Sequence, residues 1–300
     1  MLLFKTALHS VSYGGVWPGQ ARLSLEDFLQ RARTLGFDAV MLMAKRPHLS
    51  VLDYDAEGRR RLRRLVEDLD LRIAVLAGYN DFCLGADRPD IPTREMQIFY
   101  VRKLCRLAHD LGCGLVRVFT GFDHSSASYE QQWQWCVGCL KECARLAAPL
   151  GVTVGIQNHH DVACHWESLL DLLADVDEPN CKVLFDAWAP ALQGSDVVAA
   201  ARKMAPVMAH TTVADYVRRP RFRYVPNLVH YERETDVVRA VPMGEGFIDY
   251  RGFFRALADA GYRGYVAYEM CSPLRGGGSE ANLDRCARRF LEYLAAGSNG

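Results

Sequence analysis

The chain has 300 residues, of which 50% are hydrophobic and 24% charged, with a formal net charge of +0. This length and apolar content suit a large globular core, and α/β barrels reach this size as one domain. The neutral balance argues against a nucleic-acid or membrane partner, and no apolar run nears the roughly 20 residues of a membrane span.

The opening "MLLFKTALHS" is too short and too soon polar for a secretory signal, which reads as a cytoplasmic protein. Residues 4–9 suit a first strand. Ser24 is placed to cap a helix carrying Phe28, Ala32 and Leu35, which stops at Gly36 before a strand at 38–43. A third strand is expected at 72–77. Residues 92–111 set Ile98, Val101, Leu104, Cys105 and Ala108 on one helical stripe, followed by Gly112 and a strand at 114–119. Residues 129–148 repeat the pattern with Trp133, Val137, Leu140, Ala144 and Ala147, then Gly151 and a strand at 152–157. Cys136, Cys139 and Cys143 share one face of that helix and read as small buried hydrophobes in a reduced protein, since no second cysteine pair completes a metal site. Strands at 181–186, 206–212 and 264–269 complete the series, the last after Gly261.

Eight strands alternating with helices predict a parallel sheet, and the count favours a single (β/α)8 TIM barrel over residues 1–300. An open doubly wound sheet is the rival, but "SVSYGGVW" after the first strand does not match its phosphate-binding turn. The connection after strand seven, about residues 214–247, is expected to be a long loop that covers the active site.

Barrel enzymes place their chemistry at the C-terminal ends of the strands. Those ends supply Arg117 and Thr120 from strand four, then Gln157, Asn158, His159 and His160 from strand five. Asp186, His210 and Glu269 come from strands six, seven and eight. Charge is unfavourable in an apolar strand unless paired or metal-bound. Gln157, Asp186, His210 and Glu269 would offer three oxygens and one imidazole nitrogen, a set suited to a divalent ion, Mn²⁺ first, with Mg²⁺, Co²⁺ or Zn²⁺ as alternatives.

On "GIQNHHD", "LFDAW", "AHTTVADY", "GEGFIDYRGFFRAL" and "GYVAYEM", the chain resembles the xylose-isomerase-like TIM-barrel superfamily of sugar phosphate isomerases and epimerases, with ketose 3-epimerases and inosose dehydratases among its members. The resemblance implies metal ligands Glu, Asp, His and Glu on strands five to eight, which fall here on Gln157, Asp186, His210 and Glu269. Two positions depart from it. Gln157 stands where a glutamate is usual, and Thr212, three residues before Asp215, stands where family members often have histidine. Glutamine cannot take a proton, so Glu269 is the expected base, with His159 or His160 as a second. Arg117, His124, Asn158 and Asp215 are expected to contact substrate.

The function implied is a metal-dependent isomerase or epimerase that abstracts a proton beside the carbonyl of a sugar or related polyhydroxylated ketone. A dehydratase or C-glycoside-cleaving lyase subunit is the alternative, and a non-catalytic sugar-binding subunit a further one. A homo-oligomer is compatible with the sequence.

Overall fold

The computed structural model describes residues 4–297. Eight parallel strands close on themselves: β1 (Lys5–His9), β2 (Ala39–Met43), β3 (Arg72–Ala77), β4 (Leu115–Val118), β5 (Thr153–Gln157), β6 (Cys181–Asp186), β7 (Met208–Val213) and, last in the ring, β10 (Tyr265–Tyr268). β10 pairs with both β7 and β1, which shuts the barrel. The expected (β/α)8 architecture is therefore the one present.

Helices cover the outside: α1 (Leu25–Leu35), α2 (Ala56–Asp68), α3 (Thr93–Asp110), α4 (Tyr129–Ala147), α5 (Trp166–Val176), α6 (Trp188–Leu192), α7 (Val197–Met204), α8 (Tyr250–Asp259) and α9 (Glu280–Gly297). Ser24 caps α1 by accepting the Asp27 N–H. Gly36 follows α1 at φ 94°, a left-handed conformation that glycine adopts without steric cost. The three cysteines of α4 are buried and unbridged among its apolar face.

Two layers of apolar packing result. The larger lies between strands and helices, and a smaller one fills the barrel axis with Ala7, Ala39, Met41, Val75, Ala77, Leu115, Leu184 and Ala267. Alanines on β1, β2, β3 and β10 leave space along the axis for the long polar side chains above them.

The connection expected as a long loop at 214–247 is instead mostly a β-hairpin, β8 (Asp215–Val225) with β9 (His230–Val241). Arg221 faces Glu234 at 3.0 Å, Arg223 faces Glu232, and the Tyr224 and Tyr231 rings lie 5.2 Å apart. Pro220 falls where the register slips between Arg219 and Arg221, so its missing N–H breaks no ladder bond there. Asp215, Tyr216, Ala240 and Val241 are buried at the base, while most of the arm is exposed.

Candidate active site

Inward-facing side chains at the C-terminal strand ends form a buried ring. Arg117, Gln157, Asp186, Thr212 and Glu269 are each at most 5% exposed. Paired residues on neighbouring parallel strands point to the same face, and side chains alternate along a strand. Leu184, which packs in the barrel axis, pairs with His210, whereas Asp186 pairs with Thr212. Thr212 therefore shares the upper layer with Asp186. His210, expected beside Asp186 as a ligand, stands two residues deeper, about 6.6 Å down the strand.

Hydrogen bonds then link the ring from strand to strand, with Gln157, which pairs with Leu184, reaching up to Thr212. Arg117 Nη1 donates to Gln157 Oε1 at 2.6 Å, and Gln157 Nε2 donates to Thr212 Oγ1 at 3.3 Å. The Thr212 hydroxyl donates to Asp186 Oδ1. Arg117 Nη2 donates to the Gly78 carbonyl at 2.6 Å, and its guanidinium lies against the Phe119 and Tyr79 rings, 3.9 and 4.7 Å from their centroids. A Cβ at Gly78 would meet the Arg117 carbonyl at 2.7 Å, so only glycine allows this approach. Lys45, just beyond β2, also sits over the Tyr79 ring, at 3.8 Å from its centroid. Burial, and then the Arg117 charge, lower the Lys45 pKa.

The two carboxylates are unequal. Burial and the neighbouring Glu269 charge push Asp186 well above the usual carboxylate range, and its Oδ2 has no partner. Burial also raises Glu269, but Trp188 Nε1 donates to its Oε1 at 2.8 Å, and this bond and Arg117 favour its ionised form.

Several expected contacts are engaged elsewhere. Asn158 binds backbone: its Oδ1 accepts from Asp186 N at 2.6 Å, and its Nδ2 donates to Asp186 O at 3.0 Å. Asp215 anchors the hairpin base, accepting from the N–H groups of Tyr216, Gly244 and Gly246 at 2.8–2.9 Å. A Cβ at Gly246 would lie 1.8 Å from Asp215 Oδ1, which accounts for that glycine. His124 is half-buried on the connection after β4, where its backbone N–H donates to Gln132 Oε1.

The histidine pair after β5 is tied together. His159 Nδ1 lies 2.8 Å from the donating His160 N–H and 2.9 Å from His160 Nδ1. The His160 ring is stacked between Phe119 and Phe122 at 4.2 and 3.9 Å. Burial lowers the His159 pKa to about 4, with Arg117 adding to the effect. Burial and then His159 take His160 to about 3. Burial alone brings His210 to about 3.

The donor set does not suit a divalent ion. Among the described residues no group of three or more His, Cys, Asp or Glu could hold one. Asp186 Oδ2 and His210 Nε2 are buried without partners, but they stand at different depths, and Glu269, the other carboxylate, already holds the Trp188 N–H at Oε1. The Gln157 oxygen, the fourth expected ligand, already accepts from a guanidinium.

Sequence reasoning passed over Lys45, Tyr79, Trp188 and His9. Each stands at or just past a barrel strand, so the rule that found Arg117 would have found them. His9, at the end of β1, is buried with its pKa lowered by burial and by Arg117.

A family model described as xylose isomerase-like TIM barrel matches residues 29–292. Fructoselysine 3-epimerase of Escherichia coli is 22% identical over 260 residues, 84% of this chain and 87% of that protein. The 3-dehydroshikimate dehydratase of Bacillus anthracis is 25% identical over 244 residues, 79% of this chain and 82% of that protein. The crystal structure of D-psicose 3-epimerase from Clostridium cellulolyticum superimposes with a TM-score of 0.75 at 17% identity, covering 98% of this chain and 99% of that one.

Proposed function

The chain belongs to the xylose isomerase-like TIM barrel family, and on that premise we propose that it is an epimerase or isomerase acting on a polyhydroxylated ketone. The observation that carries this reading is the unlike bonding of two buried carboxylates in one ring: Trp188 donates to Glu269 Oε1, while Asp186 Oδ2 has no partner. Environments that push two acids apart assign their roles. Glu269, held toward its ionised form by Trp188 and Arg117, takes a proton from the carbon beside the carbonyl. The C–H electron pair moves into the new C=C bond and the carbonyl oxygen gains the negative charge. Asp186, which keeps its proton, returns one to carbon, and the resulting stereochemistry or carbonyl position defines epimerisation or isomerisation.

The neighbours support these roles. Asn158 fixes the Asp186 backbone, and Arg117 places positive charge in the ring. His159 accepts the His160 N–H at Nδ1, which assigns the ring proton to Nε2. His159 is then a neutral donor for a substrate hydroxyl rather than the second base. The names of related proteins, two ketose 3-epimerases and a dehydratase, accord with a reaction that starts by proton abstraction.

Dehydration is the second reading, favoured by the same protonated Asp186, which could donate to a departing hydroxyl. The test is exchange of substrate protons into deuterated solvent across a panel of ketoses and hydroxy-ketones, with product analysis. Wild type should exchange one carbon-bound proton and Glu269→Gln none. Equal exchange by both proteins would remove Glu269 as the base. An unsaturated product would select dehydration.

A further inference from the structure

The ring holds a fixed cation of its own, wired in one direction. Arg117 donates to Gln157, Gln157 to Thr212 and Thr212 to Asp186. Each link demands its residue type. An amide can accept from a guanidinium and donate to a hydroxyl at once, whereas an ionised glutamate at 157 has no donor. A hydroxyl at 212 can accept and donate in the same chain, and it is short enough to fit between Gln157 and Asp186.

A divalent ion bound here would have to displace a charge-assisted bond at Gln157 Oε1 and stand against the Arg117 charge. The two residues that make the ring unsuited to an ion, Gln157 and Thr212, are the two that relay Arg117. One arrangement thus accounts for both departures from the family pattern.

We propose that this chain holds no divalent ion at its strand ends, and that the Arg117 guanidinium, relayed through Gln157 and Thr212, supplies the positive charge there. That this charge stabilises a developing enediolate oxygen rests on the function proposed above; the absence of the ion does not. Arg117 Nε, buried and without a partner, leaves the guanidinium one unused donor.

The wild-type protein decides the first part without any variant. Purified in the absence of chelator, it should carry far less than one equivalent of any transition metal by elemental analysis. Its melting temperature should be unchanged by Mn²⁺, Co²⁺, Zn²⁺ or EDTA. One equivalent of metal that survives gel filtration, or a melting temperature lowered by EDTA, would overturn the proposal. The converse variant, Arg117→Met with Gln157→Glu and Thr212→His, should gain about one Mn²⁺ or Co²⁺ per chain by calorimetric titration if it folds.

The second part is read on proton exchange. Arg117→Met should slow exchange by about 10²–10³-fold, the range for losing one preorganised electrostatic donor, and Arg117→Lys should recover part of the loss. Exchange by folded Arg117→Met at the wild-type rate would refute the charge role. If wild type exchanges no proton from any compound in the panel, the proposed reaction fails, while the metal measurements still decide the ring.

Discussion

Trp188 donates its indole N–H to Glu269 Oε1 at 2.8 Å, the bond that most opposes the effect of burial on this carboxylate. Trp188→Phe removes the donor and keeps an aromatic ring. The ionised form then loses support, so the Glu269 pKa rises further. A base works ionised, so the acid limb of the kcat/KM profile should move to higher pH. Activity should fall more at pH 6 than at pH 8, and an unmoved limb would show that Glu269 does not set it.

Asn158 clasps both backbone polar groups of Asp186 in a site closed to solvent. Asn158→Ala leaves a buried N–H and C=O without their partners. The expected loss is about 1–3 kcal/mol of unfolding free energy. Urea denaturation should show a lower midpoint at an unchanged slope.

Asp215 gathers three backbone N–H groups where the hairpin leaves the barrel. Asp215→Ala should cost on the order of 2–4 kcal/mol, since bonds to a charged acceptor are the stronger kind. It should also make the arm between residues 217 and 239 susceptible to limited proteolysis. Arg221→Ala, which removes only an exposed ion pair, should change stability by less than about 1 kcal/mol.

The buried neutral histidines predict acid sensitivity. His159, with a pKa near 4, and His160, near 3, stay unprotonated in the folded chain while the unfolded chain titrates around its ordinary value. The unfolded state binds more protons between about pH 6.5 and 3, so stability is full above that window and falls as pH drops through it. Asp186 contributes in the opposite sense, because its raised pKa lets the folded state bind the extra proton. His160→Asn keeps a residue tolerant of the left-handed backbone at φ 69° and removes one titrating group. Its unfolding free energy should therefore depend less steeply on pH between 6.5 and 4.

Much of the scaffold was legible because its signals are local. The run Cys181–Asp186 is one strand end to end, and the stripe at 92–111 became α3. The ring was legible as a list of residues but not as an arrangement. Both His210 and Thr212 face inward, and residue spacing alone does not say which layer reaches the mouth. That depends on the pairing shift between β6 and β7 at Val183 and Leu184. Asn158 and Asp215 are polar at strand ends, as ligands would be, yet backbone donors and acceptors brought in from other segments occupy them. The hairpin did leave a trace: arginines at 219, 221 and 223 and glutamates at 232 and 234 recur every second residue, the period of paired strands.

The mouth is divided by charge. On the side of β2 to β5 stand Lys45, Arg117 and the aromatic rings of Tyr79 and Phe119. On the side of β6 and β10 stand Glu269, whose ionised form Trp188 and Arg117 favour, and Asp186, which burial pushes toward its neutral form. Arg117 and an ionised Glu269 then set opposite charges across the ring, and the field between them has a fixed direction. Under the function proposed above, a carbonyl compound entering that field would be turned with its oxygen toward Arg117 and its acidic C–H toward Glu269. A polyhydroxylated ketone presented the other way round would then have to work against that field to react.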